Sequence, residues 1–139
     1  MSQRPFKILS IEHVGVAVED MAGISSIFLD VLGLERTGSE EVADQQVITD
    51  IYQVDNSKLE FLKATSKDSP IARFIDKKSS GIHHIALIVD KIQLALNYLN
   101  ANDIQLIDKS PRIGAEGYQI AFIHPKATGG VLIELCEKK

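Results

Sequence analysis

Cysteine is nearly absent from this chain. Cys136 stands alone, so no disulfide can form within it, and a reducing cytoplasm is the natural setting. Basic charge is not in excess either: 15 Lys and Arg face 19 Asp and Glu, for a formal net charge of −4. Such a chain has no positive field to gather phosphate backbones, which argues against nucleic acid as a partner. A small anionic substrate would have to be held by local cations or by a metal ion. Long apolar runs are missing as well. None approaches the ~20 residues that a membrane-spanning helix requires, so no membrane partner is expected. The opening residues, Met1-Ser2-Gln3-Arg4-Pro5-Phe6-Lys7, are too few and too polar for a secretory signal.

What is present is ordinary in bulk and informative in order. With 139 residues, 45% hydrophobic and 24% charged, the chain suits one core, or two half-size units that share one. The key stretch is Gly81-Ile82-His83-His84-Ile85-Ala86-Leu87-Ile88-Val89-Asp90, adjacent histidines running into an apolar strand pattern. It repeats Ile11-Glu12-His13-Val14-Gly15-Val16-Ala17-Val18-Glu19. When Ile11 is laid on Ile82, His13 falls on His84.

Residues 7–18 read as a strand, with His13, Gly15 and Ala17 on one face by the two-residue period. The small residues leave room beside the histidine. Glu19 and Asp20 supply N-cap chemistry for a helix over 22–32, whose apolar stripe is Ile24, Ile27, Phe28, Val31 and Leu32. Gly33 suits its C′ position. A short strand is expected over 34–38, a polar loop over 39–45 and a strand over 46–54. Asp55-Asn56 then makes a turn into a strand over 58–62 that carries Glu60. Pro70 opens a short helix through 78, and Ser79-Ser80-Gly81 breaks it.

The pattern then restarts. A strand is expected over 82–89, Asp90 as N-cap, and a helix with Ile92, Ala95, Leu96 and Leu99 on its apolar face. Short strands follow over 104–107 and 118–123. A loop over 111–117, a turn-rich link over 124–130 and a last strand over 131–135 bearing Glu134 complete the second half. Each half therefore reads β-α-β-β-β. Two copies at so long a period mean duplicated half-domains rather than a solenoid. The expected fold is α+β: a single domain over 7–135, made of repeats at about 8–63 and 82–135 joined by a linker over 64–81. Neither half is large enough to bury both faces of its sheet alone. Paired, they would form a curved eight-stranded sheet around a cleft.

His13, Glu60, His84 and Glu134 occupy the first and last long strands of the two halves. If a pseudo-twofold relates the halves, all four converge in that cleft. Two imidazoles and two carboxylates suit a divalent transition ion such as Co, Mn, Ni, Fe or Zn, and leave two positions of a six-coordinate ion for substrate oxygens. Taken singly, each residue has a plainer explanation. A lone strand histidine is more often packed or solvent-facing, and a glutamate in an apolar strand often points to water. The repetition at matched positions is what raises the ligand reading. His83 faces away from His84 and matches Glu12, so it is not expected to be a ligand. His124 reads as a loop residue before Pro125, and Cys136, on the face of Glu134, as structural.

These halves and matched positions resemble the vicinal oxygen chelate superfamily of glyoxalases, extradiol dioxygenases and bleomycin-resistance proteins. Within it, the chain is most similar to the methylmalonyl-CoA epimerase family. The specific stretches are Asp68-Ser69-Pro70-Ile71-Ala72-Arg73-Phe74-Ile75, Gly81-Ile82-His83-His84-Ile85-Ala86 and His124-Pro125-Lys126-Ala127-Thr128-Gly129-Gly130-Val131-Leu132-Ile133-Glu134-Leu135. The resemblance implies His13, His84 and Glu134 as metal ligands, with Glu60 as a fourth. It also implies a coenzyme A thioester substrate, a homodimer, and epimerisation by removal of the C2 proton through a metal-chelated enediolate.

Two departures stand out. Many relatives carry His where this chain has Glu116. Some epimerases also place an acid/base glutamate on the strand matching 46–54, which here offers Thr49 and Asp50 instead. Glu134 is the leading acid/base candidate and Asp50 the second. A tight turn at Asp55-Asn56 would pair Ile51 with Glu60 and turn Asp50 away from the metal; another turn length would reverse that. Lys126, Arg112 and Lys63 are candidate phosphate partners. The rivals are a glyoxalase-type lyase or isomerase acting on a glutathione hemithioacetal, an extradiol dioxygenase, and a non-catalytic binding protein of the bleomycin-resistance kind.

Overall fold

In a computed structural model describing residues 3–139, the chain forms two α+β units. One is His13–His83; the other is His84–Lys139 together with the N-terminal segment through Glu12. Strand β1 (Ile8–Ala17) runs across that boundary, and its residues from His13 onward pair with the first unit's sheet.

In the first unit the strand order is β2-β3-β4-β1, with β2 at Glu35–Val42, β3 at Val47–Val54 and β4 at Ser57–Ala64. Asp20 caps helix α1 (Met21–Ser25), its carboxylate accepting the Gly23 N–H at 3.0 Å. The helix continues as a π-helical turn over Ser26–Val31. Gly33, at φ 75°, ends it in the left-handed conformation that costs glycine least. Met21, Ile24, Phe28 and Leu29 pack on Val16, Tyr52, Leu59 and Phe61, which form one sheet face. At the other face, Ile71, Phe74 and Ile75 of helix α2 (Pro70–Lys78) meet Ala17, Val47 and Leu62. His13 and Glu60 lie on that second face too, with Thr49 and Ile51 beside them.

The second unit repeats the plan with the order β5-β8-β7-β6: β5 at Gly81–Val89, beginning in the first unit, then β6 at Arg112–Ile113, β7 at Gln119–Ile123 and β8 at Leu132–Glu137. Helix α3 (Ile92–Ala101) lays Ile92, Ala95 and Leu96 on Val89, Ala121, Ile123 and Leu135. His84, Phe122 and Glu134 alternate to the other face. Among the described residues no helix is long and apolar enough to cross a membrane.

Four local expectations need correction. The stretch expected as a loop over 39–45 is strand as far as Val42, because Ser39–Val42 pair with Asp50–Val47 in a hairpin. That strand is almost wholly exposed, so burial imposed no apolar alternation on it. Residues 104–107 form no strand, only a single bridge from Leu106 to Ile123. The loop expected over 111–117 contains β6 and a 3-10 turn. Asp90 does not cap α3. Its carboxylate accepts the Lys7 N–H at 2.7 Å, while Glu137 reaches back from β8 to accept the Ile92 N–H at 2.6 Å.

Candidate metal centre

Each unit brings one histidine onto one carboxylate, by the same device. In the first, β1 and β4 run parallel with Gly15 opposite Glu60, so His13 lies two residues before the carboxylate's partner, on the same face. Nδ1 of His13 comes to 3.3 Å from Oε2 of Glu60. In the second, β5 and β8 run parallel with Ala86 opposite Glu134, and His84 again lies two residues before. Nε2 of His84 comes to 3.4 Å from Oε1 of Glu134. The residue opposite each carboxylate is glycine in one half and alanine in the other, which leaves the approach to the pair unobstructed from that strand. His13, His84 and Glu134 are each only 7% exposed.

These separations test whether the residues suit a metal. An N–H···O hydrogen bond favours about 2.7–3.2 Å between heavy atoms. Two donors bound to one ion at about 2.1 Å, at angles from octahedral to tetrahedral, sit about 3.0–3.4 Å apart. The observed distances fall at the ion-sharing end. Imidazole nitrogen with carboxylate oxygen is a donor set common to first-row divalent metals, so each pair fits as two neighbouring ligands.

Asp50 is not with Glu60. The turn at Asp55-Asn56 is tight, Val54 pairs with Ser57, and Ile51 therefore stands opposite Glu60. Asp50 points to the other face, where its carboxylate accepts the Ser39 hydroxyl at 2.7 Å and lies 3.9 Å from the Arg36 guanidinium. The expectation of Asp50 as an acid/base group is corrected on that ground: a one-residue offset in β3 reverses the face.

The remaining sequence candidates divide as follows. His83 turns from His84 and packs edge-on against Phe74, ring centroids 4.9 Å apart, and burial lowers its pKa below the ordinary 6.5. His124 caps a turn, its Nδ1 accepting the Lys126 N–H at 3.1 Å. Cys136 is closer to the chemistry than its strand-end position suggested, for its thiol donates to Oε2 of Glu134 at 3.2 Å. Phe122 was not singled out from the sequence. It stands opposite Glu134 across β7 and β8, its ring edge-on to His84 at 6.2 Å. Its strand alternation was the available signal.

Residues 12–122 match the glyoxalase/bleomycin resistance protein/dioxygenase superfamily, a span that holds His13, Glu60 and His84. The mouse mitochondrial methylmalonyl-CoA epimerase is 37% identical over 131 residues, covering 94% of this chain and 74% of that one. The chain belongs to the methylmalonyl-CoA epimerase family. Members of that family are isomerases, which bears out the expectation of an enzyme in that class. An uncharacterised Bacillus subtilis protein, YqjC, is 41% identical and covers 93% of this chain and 92% of its own. Among solved structures, a methylmalonyl-CoA epimerase in complex with methylmalonyl-CoA and NH4+ superposes with a TM-score of 0.87. It is 26% identical over 95% of this chain and 96% of that one.

Proposed function

We propose that this protein interconverts the 2R and 2S epimers of methylmalonyl-CoA, with a divalent transition ion held jointly by His13, Glu60, His84 and Glu134. The observation that carries the reading is the doubled histidine–carboxylate pair, at one register in both halves of a chain of this epimerase family. The substrate follows from the relatives, which include an epimerase solved with methylmalonyl-CoA.

When bound, the ion supplies Lewis-acid stabilisation of the charge that develops on the thioester oxygen as C2 loses its proton. The chain does the rest. C2 is a weak carbon acid, because the neighbouring carboxylate is itself an anion. Inversion requires the C2 proton to leave one face and a proton to arrive at the other, and Glu134 is our candidate for the acid/base group on one of those two faces. Oε1 is directed at His84 and Oε2 receives the Cys136 thiol, so the carboxylate is held in one orientation. The carboxylate is buried among these partners. Asp50, on the opposite face of β3 from the side that meets Glu60, has no part in this reading. The reading includes a homodimer in a reducing compartment. Exposed Leu9, Ile11 and Ile82 are apolar side chains suited to a second copy, and the lone cysteine is buried.

The deciding experiment is C2 exchange. Purified, metal-loaded protein is incubated with methylmalonyl-CoA in deuterated water, with and without a chelator. Exchange should require the metal and should vanish in His84→Ala. Exchange that is absent, or untouched by the chelator, overturns the proposal. A glutathione hemithioacetal in a parallel incubation should be left unchanged; its turnover without C2 exchange would select the glyoxalase reading.

A further inference from the structure

Arg112 is half exposed, yet it is braced from two sides. Its Nε–H points at Oδ1 of Asp108, 3.4 Å away, and its guanidinium carbon lies 5.4 Å from the centroid of the Phe122 ring. Asp108 is itself anchored, its other oxygen accepting the Phe122 N–H at 2.9 Å. Arginine, carboxylate and ring thus form one assembly. That assembly borders the candidate centre: Phe122 stands opposite Glu134 in the sheet and meets the His84 ring edge-on. No other hydrogen bond to the Arg112 side chain occurs among the described residues, so both terminal nitrogens of the guanidinium fork remain available.

A free surface arginine has to give up rotamer freedom to hold a ligand. Here the stack and the carboxylate have already limited that freedom, and the fork matches the oxygens of a phosphate. Depth decides which end of a substrate it meets. The His84–Glu134 pair is buried, while Arg112 is 52% exposed beyond the Phe122 ring. A thioester with its acyl group at the buried pair extends its far end outward, and in a coenzyme A ester that end carries the phosphates. The other two sequence candidates lack this placement. Lys63 alternates to the face of β4 opposite Glu60, and Lys126 is an exposed residue of a 3-10 turn.

We propose that Arg112, braced by Asp108 and stacked on Phe122, is a specificity-determining residue that binds a phosphate group of the coenzyme A moiety. This rests on the epimerase reading for its substrate. The test separates the two, because coenzyme A binding is measured without turnover. Free coenzyme A is titrated calorimetrically into wild type and Arg112→Met. In parallel, KM and kcat are measured for methylmalonyl-CoA and for the methylmalonyl thioester of N-acetylcysteamine, which has no phosphate. In Arg112→Met, Kd for coenzyme A and KM for the coenzyme A ester should each rise about 5- to 10-fold, with kcat within about twofold. KM for the truncated thioester should not move. Asp108→Asn keeps an acceptor for the Phe122 N–H but removes the charge that holds Arg112, and should raise KM for the full ester about 2- to 3-fold. Arg112→Lys should fall between wild type and Arg112→Met. An equal loss with both thioesters would place the arginine at the acyl carboxylate and overturn the proposal. Unchanged Kd and KM in both the Met and the Asn variants would overturn it too. If wild type binds coenzyme A but exchanges no C2 proton, the epimerase reading fails while the Arg112 site stands.

Discussion

Tyr52 offers a test of which face of the first sheet is core and which is site. Its side chain is fully buried, and its hydroxyl has no hydrogen-bond partner among the described residues. The ring packs against Phe28 at 6.3 Å and Phe61 at 5.6 Å between centroids, in the cluster under α1. An unsatisfied buried hydroxyl costs about 1–3 kcal/mol of desolvation. Tyr52→Phe removes that cost and leaves a void of about 10 Å³, worth about 0.25 kcal/mol at about 24 cal/mol per Å³. The net expectation is a stabilisation of about 1 kcal/mol. In urea unfolding this appears as a midpoint raised by about 0.5 M at unchanged slope, taking a slope of about 2 kcal/mol/M. In a thermal scan it appears as a rise of about 3–5 °C. Because Tyr52 lies on the face opposite the one that Ile51 shares with Glu60, C2 exchange should be unaltered. Destabilisation by 1 kcal/mol or more, by about that same measure, would refute the reasoning. It would mean that the hydroxyl makes a bond its surroundings here do not provide.

Two further outcomes follow from a buried serine and a half-buried histidine. Ser69 is fully buried; its hydroxyl accepts the Ile71 N–H and donates to the Gln45 carbonyl, both at 3.2 Å. Ser69→Ala should cost about 1–2 kcal/mol in urea unfolding, and a loss below about 0.3 kcal/mol would deny the cap its importance. Burial against Phe74 holds the His83 imidazole below its ordinary pKa of 6.5, so the folded state resists the proton that the unfolded chain accepts. The stability it contributes is present above 6.5 and is lost as pH falls through the lowered folded value. Wild type should therefore lose more stability than His83→Phe between pH of about 7.5 and about 5.5. Parallel pH slopes in denaturant midpoints would discard this account.

Most of the architecture was legible because burial writes itself into local periodicity. Alternation in 82–89 and 131–135 placed β5 and β8, and the i, i+3, i+4 spacing of Ile92, Ala95, Leu96 and Leu99 placed α3. What escaped was structure without burial or with a distant partner. The outer part of β2 is exposed, so it carried no pattern. The cap of α3 comes from Glu137, 45 residues away, so the local Asp90 misled. Asp108 sits in an irregular stretch with no periodicity to mark it, and its role emerges only where it meets Arg112 and Phe122.

By itself the sequence determined that two β-α-β-β-β halves exist, that His13 and His84 are equivalent, and that Glu60 and Glu134 answer them. Repetition and two-residue alternation are local properties, and they survive without knowledge of any partner strand. Only the tertiary structure decided which side chains actually meet. The parallel registers put each carboxylate opposite the residue two past its histidine. The length of one turn at Asp55-Asn56 sent Asp50 to the far face. Register is a relation between strands, and a shift of one residue exchanges the faces while leaving the pattern along each strand intact.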